Sequence, residues 1–143
     1  MFSNSSKYAI KAVLYLSLHS NSTRKIMAKD IAQPINVPPA YIAKLLQELV
    51  RTDLVSSVRG PKGGFFMSKE NNNQKVIDVL NVIDGEKKFT GCLLSLEACN
   101  EEKPCPLHNI LSTSRQHMIK VLNEHSIADL ALAVKNGKAY LPL

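Results

Sequence analysis

Apolar side chains recur at helical spacing over most of this chain, and the places where that period breaks divide it into elements. Residues 5–20, SSKYAIKAVLYLSLHS, place Tyr8, Ala9, Ala12, Val13 and Leu16 in helical register, with further apolar residues between them and neither Gly nor Pro. This predicts a well-buried helix opened by Ser5 and Ser6 as caps. Residues 21–25 are a polar linker, and residues 26–32 a short second helix with Met27, Ile31 and Ala32 on its apolar face, which Pro34 is expected to stop. Residues 35–39 form a turn. A third helix begins at Pro39 or Ala40, where proline is tolerated, and runs to Val50 with Ile42, Leu45, Leu46 and Leu49 on one side.

The other side of that helix shows Ala40, Ala43, Lys44, Gln47 and Arg51. A short helix, a tight turn and a second helix with small and polar residues outward is the helix-turn-helix arrangement, whose second helix enters a major groove. Taken alone, the same pattern also describes an ordinary antiparallel helical hairpin. The next stretch favours the first: residues 54–58 read as a strand, residues 59–64 as a turn, and residues 65–67 as a returning strand. A basic hairpin directly after the second helix is the wing of a winged helix. Its tip, Arg59-Gly60-Pro61-Lys62, joins two cations to a backbone able to approach a phosphate or a minor groove closely. The glycines do not make a nucleotide-binding loop, because the GK[ST] ending is missing and the turn joins two strands.

Asn71, Asn72 and Asn73 read as a polar break, followed by a helix over residues 74–83 with Val76, Ile77, Leu80 and Ile83 inward. After Asp84-Gly85, Leu107, Ile110, Leu111, Met118, Val121 and Leu122 recur at three- and four-residue steps. That stripe predicts one long helix buried against a second copy of the chain, the alternative being its own head. Ser126 caps a last helix over residues 127–134, which ends near Asn136-Gly137. The predicted class is mainly α with a small β-hairpin: a winged helix-turn-helix DNA-binding domain over residues 1–83, then a cysteine loop and dimerisation helices over residues 84–143.

Charge sharpens this division. Residues 1–70 carry ten Lys or Arg against four Asp or Glu, and residues 71–143 carry eight of each, so the whole net charge of +6 lies in the first half. A basic head on a balanced tail suits a polyanionic partner. No apolar run approaches a membrane span, and the polar SNSSK start lacks the pattern of a secretory signal, so the cytoplasm is the expected location.

Residues 91–108, GCLLSLEACNEEKPCPLH, hold every cysteine of the chain. Six residues separate Cys92 from Cys99, five separate Cys99 from Cys105, and His108 follows after two more. Three thiols that stay reduced in such a compartment are available to a metal. The gaps are too wide for the knuckles of structural zinc sites, whereas a cluster with separated iron corners tolerates a wrapped loop, so an iron–sulfur cluster ranks above zinc. With one His among the donors, a two-iron cluster ranks above a four-iron one. Bare thiols remain the third alternative, with Lys87, Lys88 and Lys103 lowering thiol pKa values and Glu97, Glu101 and Glu102 opposing them. Enzyme chemistry finds no support: there is no Cys-x-x-Cys, no nucleophile motif and no catalytic carboxylate pair.

From about Ser6 to about Leu130 the chain resembles the winged-helix regulators that include IscR, NsrR and CymR. LVSSVRGPKGGF, residues 54–65, is similar to that family's wing signature, and a three-cysteine loop ahead of a long helix is its second mark. The resemblance implies a dimeric DNA-binding transcription factor, in many members sensing iron–sulfur status, nitric oxide or redox state. It implies that residues 40–44 face bases, that Arg59 reaches the minor groove, and that Cys92, Cys99, Cys105 and His108 are cluster ligands. Lys7 stands where some four-iron members place an aspartate, which leaves His108 as the fourth ligand. The expected protein is a homodimeric repressor on a palindromic duplex, controlled by a cluster or by redox state at the loop. Tyr41 and Gln47 are expected to bond phosphate or base edges, and Lys44, Arg51 and Lys62 to bond phosphates. The competing expectation is a cofactor-free thiol-sensing or protein-interaction regulator on the same scaffold.

Overall fold

The structure, a computed structural model, describes residues 2–96 and 99–143. Its described residues form α1 (Asn4–His19), α2 (Ala28–Ile35), α3 (Pro39–Arg51), β1 (Ser56–Val58), β2 (Gly64–Phe66), α4 (Lys69–Asn72), α5 (Val76–Asp84), α6 (Lys87–Thr90), α7 (His108–Glu124) and α8 (Ile127–Lys135). This is the mainly helical winged-helix class expected, with one antiparallel hairpin pairing Ser56 with Phe66 and Val58 with Gly64.

Ala9, Ala12, Val13 and Leu16 of α1 are buried in one core with Ile31, Ala32 and Ile35 of α2 and Ile42, Leu45, Leu46 and Leu49 of α3. The cap of α1 lies earlier than Ser5–Ser6: Ser3 has extended backbone, and its hydroxyl accepts the Ser6 N–H at 3.0 Å. Ser6 itself is buried within the first turn. Pro34 does not stop α2 but sits inside it. In so short a helix the missing amide forfeits one bond, to the carbonyl of Asp30. The helix stops instead at Asn36, which takes the left-handed conformation (φ 60°, ψ 51°), while the Val37 N–H donates to Ala32 O at 3.2 Å. Its start is later than expected because Ile26 exchanges two backbone hydrogen bonds with Phe65, of 2.9 and 2.8 Å, and extends the wing sheet.

The supposed polar break is a structural centre. Asn71 is only 4% exposed and caps α4 reciprocally with Ser68. Its Nδ2 donates to Asp53 O at 2.8 Å and its Oδ1 accepts from Ser56 Oγ at 2.7 Å, so one amide ties α4 to the turn between α3 and the wing. Asp53 is held there in a left-handed conformation (φ 59°).

A second, smaller core holds Ile77 and Leu80 of α5 with Phe89 of α6, and Met118, Ile119 and Leu122 of α7 pack on it with Phe2. The long stripe is therefore divided. Its C-terminal part covers the chain's own α5 and α6, while Ile110 (68% exposed) and Leu111 (39%) near its start stay open. α8 is capped by Ser126 and Asp129 as expected, and returns Ile127 and Ala131 to the core around α1. Among the described residues no helix is long and apolar enough to cross a membrane.

Asp84, at the end of α5, accepts hydrogen bonds from the backbone and the hydroxyl of Ser3 and pairs with Lys88 at 3.2 Å. Burial pushes its carboxyl upward, but Ser3 and Lys88 outweigh this and hold it below the ordinary value. A lowered carboxyl contributes stability above its unfolded value of about 3.9 and loses it as pH falls through the folded value. Asp84→Asn is therefore expected to lower the urea midpoint at pH 7, by a deficit that shrinks as pH falls below about 3.9. Equal midpoints at pH 7 would show that the carboxylate contributes nothing.

Candidate nucleic-acid interface and cysteine site

The outward side of α3 is as the periodicity predicts: Ala40, Lys44, Gln47 and Arg51 are exposed and Ala43 is half-buried. Tyr41 differs. Its hydroxyl lies 2.7 Å from Ser5 Oγ, and its ring meets that of Tyr8 edge-on with centroids 5.9 Å apart, so it joins α1 to the first turn of α3.

At the wing tip Arg59, Gly60, Pro61 and Lys62 are all exposed. The hairpin is shaped by glycine: Gly60 has φ 103°, and a Cβ on Gly63 would fall 2.0 Å from Val58 O. A cleft of about 360 Å³ opens between α3 and the wing and brings together Gln47, Arg51 and Arg59 over Val50, Val58 and Phe65. Lys62 at the tip and Lys44 further along α3 lie outside it. The ion pairs among the described residues are Lys88–Asp84 and Lys120–Glu124, so Lys44, Arg51, Arg59 and Lys62 have no carboxylate beside them. Lys25 holds its ammonium 5.7 Å from the centre of the Phe66 ring, and Phe66, next to Phe65 along β2, is not among the residues that line the cleft.

In the cysteine loop all three thiols are free and half-buried. Cys99 Sγ lies 2.8 Å from His108 Nδ1, and Cys92 Sγ accepts the Ser95 N–H at 3.4 Å. Of the four donors singled out in the sequence, the structure pairs Cys99 with His108. The N–H groups of Ser95 and Leu94 pull the Cys92 thiol down to about 7. The Cys105 and Cys99 thiols add smaller lowering effects on the Cys92 thiol. The two N–H groups contribute more than the lysines expected in that role, and Lys88 is engaged by Asp84. Burial, then the charge of Cys92, pushes the Cys99 thiol up. Glu101, Glu102 and Lys103 are exposed, and Glu97 lies outside the described residues.

Two backbone contacts mount the loop. The His108 N–H donates to Cys105 O at 2.9 Å at the start of α7, and the Arg115 guanidinium donates to Gly91 O. Among the described residues no three His, Cys, Asp or Glu converge as a cage for a single ion. Thiolate and imidazole on one tetrahedral metal stand about 3.6 Å apart, so the 2.8 Å Cys99–His108 contact is a hydrogen bond that ligation of zinc or of a cluster iron would have to open. Three thiols and an imidazole in one loop suit, by donor chemistry, a unit with several metal corners.

The chain matches, over residues 2–133, the family described as Rrf2, iron-dependent transcriptional regulator. A protein of Aquifex aeolicus whose name assigns it as an HTH-type transcriptional regulator is 33% identical over 111 residues, 76% of each chain. The HTH-type transcriptional regulator IscR of Yersinia pseudotuberculosis is 29% identical over 124 residues, 87% of this chain and 74% of its own. Among solved structures, CymR, the global cysteine regulator of B. subtilis, superposes with a TM-score of 0.74 at 24% identity, covering 92% of this chain and 95% of its own. T. potens IscR gives 0.72 at 22%, covering 97% and 91%. These two share the fold.

Gly64 closes the wing against Ile26: its φ is 142°, and a Cβ there would stand 2.7 Å from Ile26 O. Gly64→Ala is expected to break the pairing with Ile26 and to cost on the order of 1–3 kcal/mol. Urea unfolding together with chymotryptic cleavage at Phe65 and Phe66 measures this, and an unchanged midpoint with an uncut wing would refute the close approach.

Proposed function

The chain belongs to the Rrf2 family of transcriptional regulators, which are DNA-binding proteins and not enzymes, and from that premise we propose a homodimeric repressor controlled at its cysteine loop. Residues 1–83 bind an approximately palindromic duplex, and residues 84–143 carry the loop and the dimer helix. Residues 40–44 of α3, with Gln47, address the major groove, while Arg59 enters the adjacent minor groove. Lys44, Arg51 and Lys62 meet phosphates. Support comes from the exposed, unpaired cations on α3 and the wing and from the cleft that sets Arg51 beside Arg59.

The single observation carrying the control function is the Cys99–His108 contact at 2.8 Å at the start of α7, in the same loop as the free thiols of Cys92 and Cys105. Cys92, Cys99, Cys105 and His108 are the residues that would hold an iron–sulfur cluster, of two-iron type by its single imidazole. When bound, such a group supplies a one-electron couple and a change of local charge. The chain's own residues do the rest. His108 carries the state of the loop into the first turn of α7, and Arg115 holds the loop's first carbonyl. Ile110 and Leu111, with Leu93 and Leu94 of the loop, form the apolar surface that a second copy covers. The low-lying Cys92 thiol, in one loop with two others, also favours direct thiol oxidation as a second reading on the same site.

Replacement of Lys62 by Ala is expected to weaken all duplexes alike and to reduce the salt slope by about one unit. Arg59→Ala should instead lower the ratio of operator to random affinity by ~1–3 kcal/mol, measured by fluorescence anisotropy over a salt series. An unchanged ratio would remove the wing from recognition.

Protein purified without oxygen is expected to be coloured and to contain iron and acid-labile sulfide, both lost together in His108→Ala or Cys99→Ala. A colourless wild type, with one zinc or with no metal, would defeat the cluster reading and leave the DNA-binding assignment intact.

A further inference from the structure

We propose that the first turn of α1 links the cysteine loop to the recognition helix within a single protomer, with Asp84, Phe89, Ser5 and Tyr41 as positioning residues. This rests on the reading of the loop as a sensor and adds a route that does not pass through the second copy.

The link is a run of contacts. Gly91 immediately precedes Cys92; its N–H donates to Lys87 O at 2.7 Å and its carbonyl is held by Arg115. Gly91 thereby fixes the end of α6, a four-residue helix without a side-chain cap. Two residues of α6 reach the start of the chain. Phe89 is 4% exposed and meets the Phe2 ring edge-on, with centroids 6.0 Å apart. Lys88 pairs with Asp84 at 3.2 Å, and Asp84 binds Ser3 through both its N–H and its hydroxyl. Ser3 is the cap of α1. Two residues on, Ser5 Oγ meets the Tyr41 hydroxyl at 2.7 Å, in the first turn of α3 beside Ala40.

A four-residue helix has little cohesion of its own, so α6 follows Gly91 when the loop is rearranged. Phe89 cannot move without Phe2, because close-packed aromatic contacts transmit displacement instead of absorbing it. Ser3 and Ser5 follow Phe2 at the start of α1, and Tyr41 passes the motion to the first turn of α3. Any change in the Gly91–Arg115 contact thus biases the pose of the recognition helix.

Hydrogen exchange at residues 40–46 tests this without DNA, before and after alkylation of the thiols with iodoacetamide. In the wild type, alkylation is expected to change exchange in the first turn of α3 by threefold or more. In Tyr41→Phe and in Ser5→Ala, which delete the same bond from opposite sides, the response should fall below that. An α3 that does not respond in the wild type, or that responds in both variants as fully as in the wild type, overturns the link. A double-mutant cycle of Arg115→Gln with Ser5→Ala, read as affinity for a mixed-sequence duplex, is a second measure. Separate, uncoupled sites add to within about twofold, and the link requires a departure of fivefold or more. Absence of DNA affinity in the wild type would refute the regulator reading, while an intact exchange response would still establish the link.

Discussion

The rest of this structure depends on how closely α1 is approached by its neighbours. Ala9 and Ala12 are completely buried, and their small side chains let α2, α3, α5 and α8 pack against one helix at short range. Because α8 is the last element and α3 the second helix of the helix-turn-helix, the two ends of the fold share one wall. A larger side chain at either alanine would separate them together, since close-packed cores absorb little extra volume. The head is therefore a single packing unit into which the C-terminal residues Ile127 and Ala131 are drawn.

The regular part of this arrangement was legible from period alone. The inward residues of α3, Ile42, Leu45, Leu46 and Leu49, are the buried ones, and Ser126 caps α8. What escaped the sequence escaped for identifiable reasons. Pro34 looks like a terminator, yet a proline near the end of a short helix costs a single bond, and the true stop is the left-handed Asn36. Asn71 looks like surface punctuation because its type is usually exposed, and only tertiary contacts with Asp53 and Ser56 reveal a buried amide. Ile26 was assigned to a helix because a single bridging residue in a sheet has no period. In the cysteine loop the pairing of Cys99 with His108 joins two residues that the sequence already groups, since soft side chains close in sequence are readable without a fold. Arg115, which mounts the loop, is not so grouped, because it lies on α7, distant in sequence and unremarkable by type.

The division of the α7 stripe shows what periodicity leaves undecided. Met118, Ile119 and Leu122 are satisfied within the chain, while Ile110 and Leu111 are not, although all obey one helical pattern. A pattern states which side is apolar and is silent about which partner covers each turn. The uncovered turns are those next to the cysteine loop, where Leu93 and Leu94 add to the same exposed surface. An interface placed there is continuous with the sensing residues, so covering it and ordering the loop favour one another.

The two halves of the molecule also differ in how their order is maintained. The winged-helix half is held by burial and by hydrogen bonds such as the Ile26–Phe65 pair and the Asn71 network. α7 has no fully buried residue and packs its C-terminal part on the smaller core, while the cysteine loop before it is held by a few polar contacts around free thiols. Low local stability is what a sensing segment requires, because a ligand or an oxidation event can shift an equilibrium only where the alternatives lie within a few kcal/mol. A loop as firmly packed as α3 would be insensitive, and a head as loose as the loop could not hold Arg59 and α3 in register with a duplex. The contrast between a self-sufficient head and a loop held by few contacts is thus the physical condition that the proposed control would require.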